Sequence, residues 1–115
     1  MNTDCIFCKI AKKKIDAQVV YEDEDILAFK DIKPQAPVHY LFIPKKHIET
    51  LNDIRREDAD MLAKILLAVR EVADKEGVAQ GGYRVVINCN RDAGQEVFHV
   101  HVHLLGGRGF SWPPG

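Results

Sequence analysis

Apolar and polar positions alternate in the first third of the chain in a way that predicts strands. The runs VVYEDED and ILAFKD are rich in β-branched and aromatic residues and are joined by acidic turn residues, which predicts a hairpin. Ile26 to Phe29 is apolar throughout, as expected of a strand covered on both faces. Pro34 ends this region, and a third predicted strand runs from His39 to Ile43, where Pro44 stops it.

The spacing of apolar residues changes to that of a helix between about Ile54 and Glu76. Apolar residues recur there at i, i+3, i+4 and i+7, which places them on one face. The predicted buried face consists of Leu62, Ile65, Leu66, Val69, Val72 and Ala73. Acidic residues in the first turns favour the helix dipole, and Gly77 follows the last turn as a C-cap glycine would.

Two further strands are predicted after this helix, YRVVIN and FHVHVHLL, with the polar loop NCNRDAGQEV between them. Strands in hairpins, with one long helix set apart from them, indicate an α+β domain on an antiparallel sheet of about five strands. The tail GGRGFSWPPG is rich in glycine and proline and is expected to be irregular. Because it holds the only tryptophan, we expect it to pack on another surface.

Length and composition predict one globular domain spanning residues 1–115. The chain is 46% hydrophobic and 29% charged with a formal net charge of −1, so neither a nucleic acid nor a membrane is an expected partner. No apolar run approaches the roughly 18 residues of a membrane span, and the start MNTDCIFCKI lacks the features of a signal peptide. A cytoplasmic location is therefore expected.

The segment HVHVH places three of the five histidines at alternate positions. In a strand, His99, His101 and His103 share one face while the valines fill the other. A lone strand histidine is usually a hydrogen-bonded structural residue, but three buried imidazoles on one face need many partners. A single zinc ion shared by all three is disfavoured, because the outer two Cα atoms are about 13 Å apart and zinc–nitrogen bonds are about 2.0–2.1 Å.

The central histidine, His101, is the natural nucleophile of the three. An imidazole nitrogen can attack phosphorus or a carbonyl when its other nitrogen is held by an acceptor that fixes the tautomer. Phosphorus fits better here, because the preceding GQEV turn offers backbone N–H groups and Gln95 as neutral donors to phosphate oxygens.

The motif HVHVHLL, preceded by GQEVF and followed by GGR and a terminal WPPG, resembles the histidine triad (HIT) family, most closely its Hint branch. The resemblance covers nearly the whole chain from CIFCKI onward. It implies a HIT-like α+β fold with a short N-terminal helix, whose sheets join edge to edge across a homodimer. It also implies hydrolysis of purine nucleoside phosphoramidates, such as adenosine 5′-monophosphoramidate, through a nucleotidyl-histidine intermediate.

The resemblance assigns the catalytic roles position by position. His101 resembles the nucleophile that takes the α-phosphorus, and His103 resembles a phosphate contact that stabilises charge. His39 resembles a fourth histidine, a candidate for a proton relay with the leaving group, while His99 completes the set in a supporting role. Asp31 resembles the carboxylate that accepts hydrogen bonds from the ribose hydroxyls.

The remaining nucleotide contacts implied by the resemblance form an apolar group and a polar loop. The apolar walls around the base are Phe7, Ile10, Phe29 and Ile32. The loop contacts are Asn88, Gln95, Glu96 and Val97. From the pattern alone, plain core packing is an equally good explanation for the phenylalanine and isoleucine of FKDI.

Two features bear on the leaving group. Glu96 stands where some Hint members have a serine; a glutamate can accept a hydrogen bond from an amine but repels phosphate. Trp112, in the WPPG tail, matches a family C-terminus that reaches toward the partner's site in the dimer and shapes the leaving-group pocket.

Cys5 and Cys8 have the C-x2-C spacing of one half of a tetrahedral zinc site. Some bacterial family members are similar and bind structural zinc with two such cysteines and two histidines, which here are His47 and His99. Two reduced, partly buried thiols are the alternative. A redox role is disfavoured because the motif lacks a βαβ setting. The lone Cys89 is interpreted as an inert buried thiol.

Two other functions stay open at this stage. One is a nucleotide-binding regulatory protein whose chemistry is vestigial, and the other is hydrolysis of dinucleoside polyphosphates. The sequence does not decide between adenine and guanine.

Overall fold

A five-stranded antiparallel sheet organises residues 4–115, which are the residues described by the computed structural model. The strands in chain order are β1 (Val19–Glu22), β2 (Ile26–Lys30), β3 (Val38–Pro44), β4 (Tyr83–Val86) and β5 (Val102–Gly106). Across the sheet the order is β1-β2-β3-β5-β4, and every neighbouring pair is antiparallel. The predicted α+β class with about five strands is confirmed.

Three helices accompany this sheet in the described chain, and the first two cover its opposite faces. They are α1 (Ile6–Ala11), α2 (Ala59–Lys75) and the single turn α3 (Asn90–Ala93), with two 3-10 turns at Leu51–Asp53 and Arg56–Asp58. The short helix α1 is the N-terminal helix that the family resemblance implied. The helix α2, with 17 residues, is the longest in the described chain, and no described helix could cross a membrane.

The two faces of β2 illustrate how the sheet separates two cores. Ile26 and Ala28 belong to the cluster that packs beneath α2, whereas Leu27 and Phe29 belong to the cluster beneath α1. All four side chains are buried. The prediction that this strand is covered on both faces is confirmed, and it follows from the alternation of side chains along a strand.

The long helix begins later than predicted. The segment from Leu51 to Asp58 forms two 3-10 turns instead of helical turns. Asp58 caps the start of the second turn by accepting a hydrogen bond from the backbone N–H of Arg55 at 2.9 Å. At the other end, Gly77 has φ +76° and donates its N–H to the carbonyl of Asp74, so its C-cap role is confirmed.

The prediction that Leu66 belongs to the buried face of α2 is wrong, because its side chain is 55% exposed. The buried residues of this helix are Ile65, Ala68, Val69, Val72 and Ala73. Ala68 faces the sheet in place of Leu66. A small residue such as alanine contributes little to a hydrophobic pattern, so the sequence does not single it out.

The last strand is shorter than predicted and begins after two of the three histidines. In the register of β3 against β5, Phe42 pairs with Val102, so Pro44 would lie opposite Val100. Proline has no N–H to extend the ladder. His99 therefore lies in a bend and His101 in irregular chain before β5, and only His103 lies within the strand.

The C-terminal tail packs in part. Phe110 is half-buried, with the guanidinium groups of Arg84 and Arg108 at 5.1 and 4.1 Å from its ring centre. Trp112, in contrast, is 82% exposed in the single chain. The expected packing of the tail is thus confirmed for the phenylalanine and not for the tryptophan.

Candidate functional site

The three alternating histidines keep one face in common although two of them precede the strand. The residue after each histidine, Val100, Val102 or Leu104, is buried. His99 is fully buried, His101 is buried, and His103 is partly exposed. The alternation predicted from the sequence thus holds at the level of side chains.

The ring of His101 is held in one tautomer by the backbone. Its Nδ1 lies 2.8 Å from the carbonyl oxygen of His99. A carbonyl only accepts hydrogen bonds, so Nδ1 carries the proton and Nε2 keeps a lone pair. The ring of Phe7 stands edge-on at 5.1 Å. Burial lowers the pKa of His101, against the opposing effects of the His99 carbonyl and the nearby carboxylates, so the neutral nucleophilic form is favoured.

His39 and His103 form a hydrogen-bonded chain whose direction is also fixed by the backbone. The N–H of Gln35 donates to His39 Nδ1 at 3.0 Å. His39 therefore carries its proton on Nε2, which lies 2.9 Å from His103 Nδ1. His103 accepts at Nδ1 and so carries its own proton on Nε2. We call His39 and His103, oriented by the Gln35 N–H, the histidine chain.

The histidine chain is electrically neutral near pH 7. Burial, and then the neighbouring rings of His101 and His39, lower the pKa of His103 to about 4. Burial also lowers the pKa of His39, with Asp31 acting in the opposite direction. The Asp31 carboxylate lies 3.4 Å from His39 Nε2 through one oxygen, and its other oxygen accepts the N–H of Lys33 at 2.8 Å.

The residues expected around the base divide between core and surface. Phe7, Ile10 and Phe29 are buried together in the cluster beneath α1, and the two phenylalanine rings are 5.4 Å apart, edge to face. Ile32 is 92% exposed. The structure thus brings three of these four side chains together and leaves Ile32 on the surface beside Asp31.

Gln95 is buried and serves the loop that precedes the histidines. Its Nε2 donates to the carbonyls of Glu49 and Val97, and its Oε1 accepts the N–H of Asn90. Both amide hydrogens are used within the chain, so the side chain holds the loop in place and the expected direct donation from Gln95 to phosphate does not fit this geometry.

The other loop residues lie around this buried amide. Val97 packs against the α1 cluster, Asn88 is half-buried, and Glu96 is exposed. Glu96 is exposed, yet its carboxylate is close enough to His101 to oppose the lowering of the pKa of that ring.

Four sulfur and nitrogen atoms converge beneath the histidine segment. They belong to Cys5, Cys8, His47 and His99, which we call the four-donor cluster. His99 Nδ1 lies 3.3 and 3.5 Å from the sulfur atoms of Cys5 and Cys8, and 3.2 Å from His47 Nδ1. The sequence prediction of these four residues as one group is thus matched by their placement.

These separations fit a tetrahedral metal centre. Bond lengths of about 2.0–2.1 Å to nitrogen and about 2.3 Å to sulfur place two nitrogens about 3.3 Å apart, and a nitrogen and a sulfur about 3.6 Å apart. His99 Nε2 donates to the Pro44 carbonyl at 2.7 Å, which leaves Nδ1 as a lone pair aimed into the cluster. Burial and the neighbouring Cys5 raise the pKa of Cys8, so its thiolate form needs a cation.

A second group, Asp31, His39 and His103, also brings three ligand-type atoms within 4.8 Å of one another. The tautomer argues against a metal there. Because the Gln35 N–H occupies His39 Nδ1, the nitrogen that faces the group already carries a proton. The same residue types therefore form a cage at one place and a hydrogen-bonded chain at the other.

The backbone groups that set these tautomers are absent from any reading of the sequence by residue type. They are the N–H of Gln35 and the carbonyls of Pro44 and His99. Every residue has a carbonyl and every residue but proline an N–H, so no sequence signal singles them out. Arg108, which contacts the Gln35 loop, could be found only as the arginine of the GGR motif.

Comparison with known sequences places these residues in a known context. Residues 4–109 match a family model described as "Scavenger mRNA decapping enzyme C-term binding". An uncharacterized HIT-like protein of Synechococcus elongatus is 50% identical over 115 residues, the full length of both chains. The purine nucleoside phosphoramidase of Escherichia coli is 45% identical over 108 residues, covering 94% of this chain and 91% of that protein.

Solved structures agree with this relationship. A HIT family hydrolase from Legionella pneumophila superposes with a TM-score of 0.96 at 56% identity, covering 97% of this chain and 100% of its own. A histidine triad protein from Clostridium difficile superposes with a TM-score of 0.93 at 44% identity, covering 96% of each chain.

Proposed function

The chain belongs to the histidine triad (HIT) family, and we propose that it is a hydrolase that cleaves purine nucleoside 5′-phosphoramidates, such as adenosine 5′-monophosphoramidate. The similarity to a HIT family hydrolase supports the reaction class, and the similarity to a purine nucleoside phosphoramidase supports the phosphorus–nitrogen bond as its target. The observation that carries the proposal is the His101 tautomer, which leaves Nε2 unprotonated, with the neutral ring of His103 5.1 Å from the His101 ring.

The reaction proceeds in two displacements at phosphorus. His101 Nε2 forms a bond to the α-phosphorus, the phosphorus–nitrogen bond breaks, and the amine departs with a proton taken up at the solvent-facing edge of the site. Water then attacks phosphorus, and the bond to Nε2 breaks with its electron pair returning to the ring. The proton released by this water balances the one taken up by the amine, and nucleoside monophosphate leaves.

The histidine chain assists by presenting a neutral donor to the phosphate. His103 carries its proton on Nε2, which suits a hydrogen bond to a phosphate oxygen as negative charge develops. The orientation of that proton depends on His39, which supplies the other hydrogen bond. We therefore assign His39 the role of orienting His103, which narrows the proton-relay role implied by the resemblance, and we assign Asp31 to the ribose.

The four-donor cluster is proposed to hold structural zinc through Cys5, Cys8, His47 and His99. Bound zinc would supply charge for the two thiolates and tie α1 to the histidine segment. It is not required for the displacement, because no donor of the cluster is the nucleophile. His99 contributes to catalysis through its carbonyl, which orients His101.

The proposal includes a homodimer formed edge to edge through β4. This strand is one of the two edges of the sheet, and Val85 and the adjacent Ile87 are 41% and 37% exposed. An exposed apolar edge favours pairing with a second copy. The tail with Trp112 would then reach the partner's leaving-group side, and the molar mass from light scattering tests the dimer. A cytoplasmic location remains a prediction of the sequence.

Replacing the nucleophile tests the activity directly. We expect His101→Ala to reduce turnover of adenosine 5′-monophosphoramidate by about a thousandfold or more, while AMP still binds. Intact-mass measurement of wild type mixed rapidly with substrate should show a transient adduct of one nucleotidyl group, absent in the variant. Binding of AMP without adduct or product would favour a nucleotide-binding regulator instead, and faster cleavage of a dinucleoside polyphosphate would favour that substrate class.

A further inference from the structure

A continuous series of hydrogen bonds connects the C-terminal tail to the histidine chain. Arg108 Nε donates to the carbonyl of Gln35 at 2.9 Å. The N–H of the same residue donates to His39 Nδ1 at 3.0 Å, and His39 Nε2 lies 2.9 Å from His103 Nδ1. Arg108 therefore holds the carbonyl of Gln35, and the N–H of Gln35 sets the tautomer of His39.

The guanidinium of Arg108 is itself anchored. It lies 4.1 Å from the ring centre of Phe110, and its Nη1 donates to the carbonyl of Gly109 at 2.9 Å. Arg84 covers the same ring at 5.1 Å and donates to the Ser111 carbonyl at 3.0 Å. The guanidinium thus has a defined position, as a residue that positions a loop requires.

The residue before Arg108 also packs closely against the loop from Pro34 to Pro37. Gly107 has φ +90°, and a Cβ at this position would lie 2.9 Å from Cβ of Pro37. The loop from Pro34 to Pro37 is closed on its other side by Gln35 Nε2, which donates to the Lys33 carbonyl at 3.1 Å. The N–H that His39 accepts is therefore held between the tail and the turn.

We propose that Arg108 is a positioning residue that acts through the Gln35 peptide to keep His39 protonated on Nε2. This assignment rests on the proposed function, since it concerns how His103 presents its proton to the phosphate. In the other tautomer, a lone pair on His39 Nε2 would face the Asp31 carboxylate. His103 would then need its own proton on Nδ1, and its Nε2 lone pair would face a phosphate oxygen.

The proton positions can be read without any substrate. In protein labelled with 15N-histidine, protonated and unprotonated ring nitrogens have distinct NMR shifts, so the tautomers of His39 and His103 are measured directly. We expect wild type to show His39 protonated on Nε2 and Arg108→Met to show a mixture of both tautomers. Arg91→Met is the matched control, because Arg91 is exposed and, among residues 4–115, its side chain pairs with neighbouring Asp92 alone.

The kinetics of the same variants provide the second readout. We expect Arg108→Met to lower kcat about tenfold with little change in KM, because the lost hydrogen bond acts in the transition state. Arg108→Lys, which retains a cationic donor, should recover part of this loss. Wild-type tautomers together with wild-type kcat in Arg108→Met would overturn the proposal.

A pair of substitutions at Gln35 isolates the backbone group. Gln35→Ala keeps the N–H and loses only the Nε2 bond to the Lys33 carbonyl, so it should change the tautomers less than Gln35→Pro, which removes the N–H and should release His39. If the proline variant does not fold, the Arg108 variants decide. The tautomers are independent of turnover, so a protein with the expected tautomers and no phosphoramidate cleavage would contradict the proposed function and leave the role of Arg108 standing.

Discussion

The four-donor cluster and the histidine chain are built from the same residue type in one segment, yet they are suited to different chemistry. In the four-donor cluster, the Pro44 carbonyl accepts a hydrogen bond from His99 Nε2. The Nδ1 lone pair of His99 therefore faces two sulfur atoms and a second imidazole. In the histidine chain, the N–H of Gln35 donates to the lone pair on His39 Nδ1. The His39 proton is therefore on Nε2, where it faces His103. Converging lone pairs favour a metal, and a lone pair facing a proton favours a directed hydrogen bond.

Burial and residue identity alone do not assign a histidine its function. His99 and His103 both have a pKa lowered to about 4, and burial is the largest cause for each. What separates them is the partner of one ring nitrogen. His101 lies between the two groups in sequence, and the carbonyl of the proposed metal ligand His99 fixes its tautomer.

Removing one sulfur atom should give the largest change in stability, because it disrupts the four-donor cluster and leaves the hydrogen bonds of the histidine chain in place. We expect Cys8→Ser to lose stoichiometric zinc, measured by elemental analysis, and to lower the free energy of unfolding by about 3 kcal/mol or more. Cys89→Ser is the control, because this cysteine lies outside the cluster. Wild-type protein purified without zinc from zinc-supplemented cells would contradict the metal assignment.

The sequence predicts this cluster well because its members carry their chemistry in their side chains. The C-x2-C pair is visible in the sequence, and the family resemblance selects His47 and His99 from the five histidines. The family resemblance assigned His39 and His103 separate roles at one site and did not predict the hydrogen bond between them, since the Gln35 N–H that gives the histidine chain its direction belongs to no particular residue type. In the fold, the doubly covered strand from Ile26 was predicted from its apolar run, but the choice of Ala68 over Leu66 for the buried face depends on the helix's rotation against the sheet.

The early end of the predicted histidine strand has a similar cause. Alternation correctly predicted which side chains share a face, but pairing depends on the neighbouring strand. The sequence predicts that Pro44 stops the third strand; in the structure Pro44 is the last residue of β3, and it also ends the ladder beside Val100. Such a constraint becomes visible only when the register of the two strands is known.

Lowering the pH should destabilise the protein through the histidine chain. The pKa of His103 is about 4 in the folded protein and 6.5 ordinarily, so between these values the unfolded chain binds a proton that the folded chain does not. Stability is therefore lost as pH falls from 6.5 toward 4. Between pH 7.5 and 5.0 we expect a loss of about 2 kcal/mol from this group.

Urea denaturation of wild type and His103→Asn at both pH values measures this contribution. Asparagine can accept the hydrogen bond from His39 through its amide oxygen, and it does not titrate. The pH-dependent loss should be about 2 kcal/mol smaller in the variant, while any zinc release at low pH affects both proteins alike. An equal loss in both proteins would show that His103 is not the group that titrates.

The smallest expected effect comes from the loop that supports the histidine chain. Gly107 has φ +90° and no room for a Cβ beside Pro37, so Gly107→Ala should lower the free energy of unfolding by about 1–2 kcal/mol. Gly109→Ala is the matched control, because a Cβ there meets nothing within 4 Å. The substitution at Gly107 should also shift the 15N signals of His39 and His103 while zinc content stays at the wild-type level. If zinc content falls instead, a change in the histidine chain also alters the four-donor cluster, and the two groups are not independent.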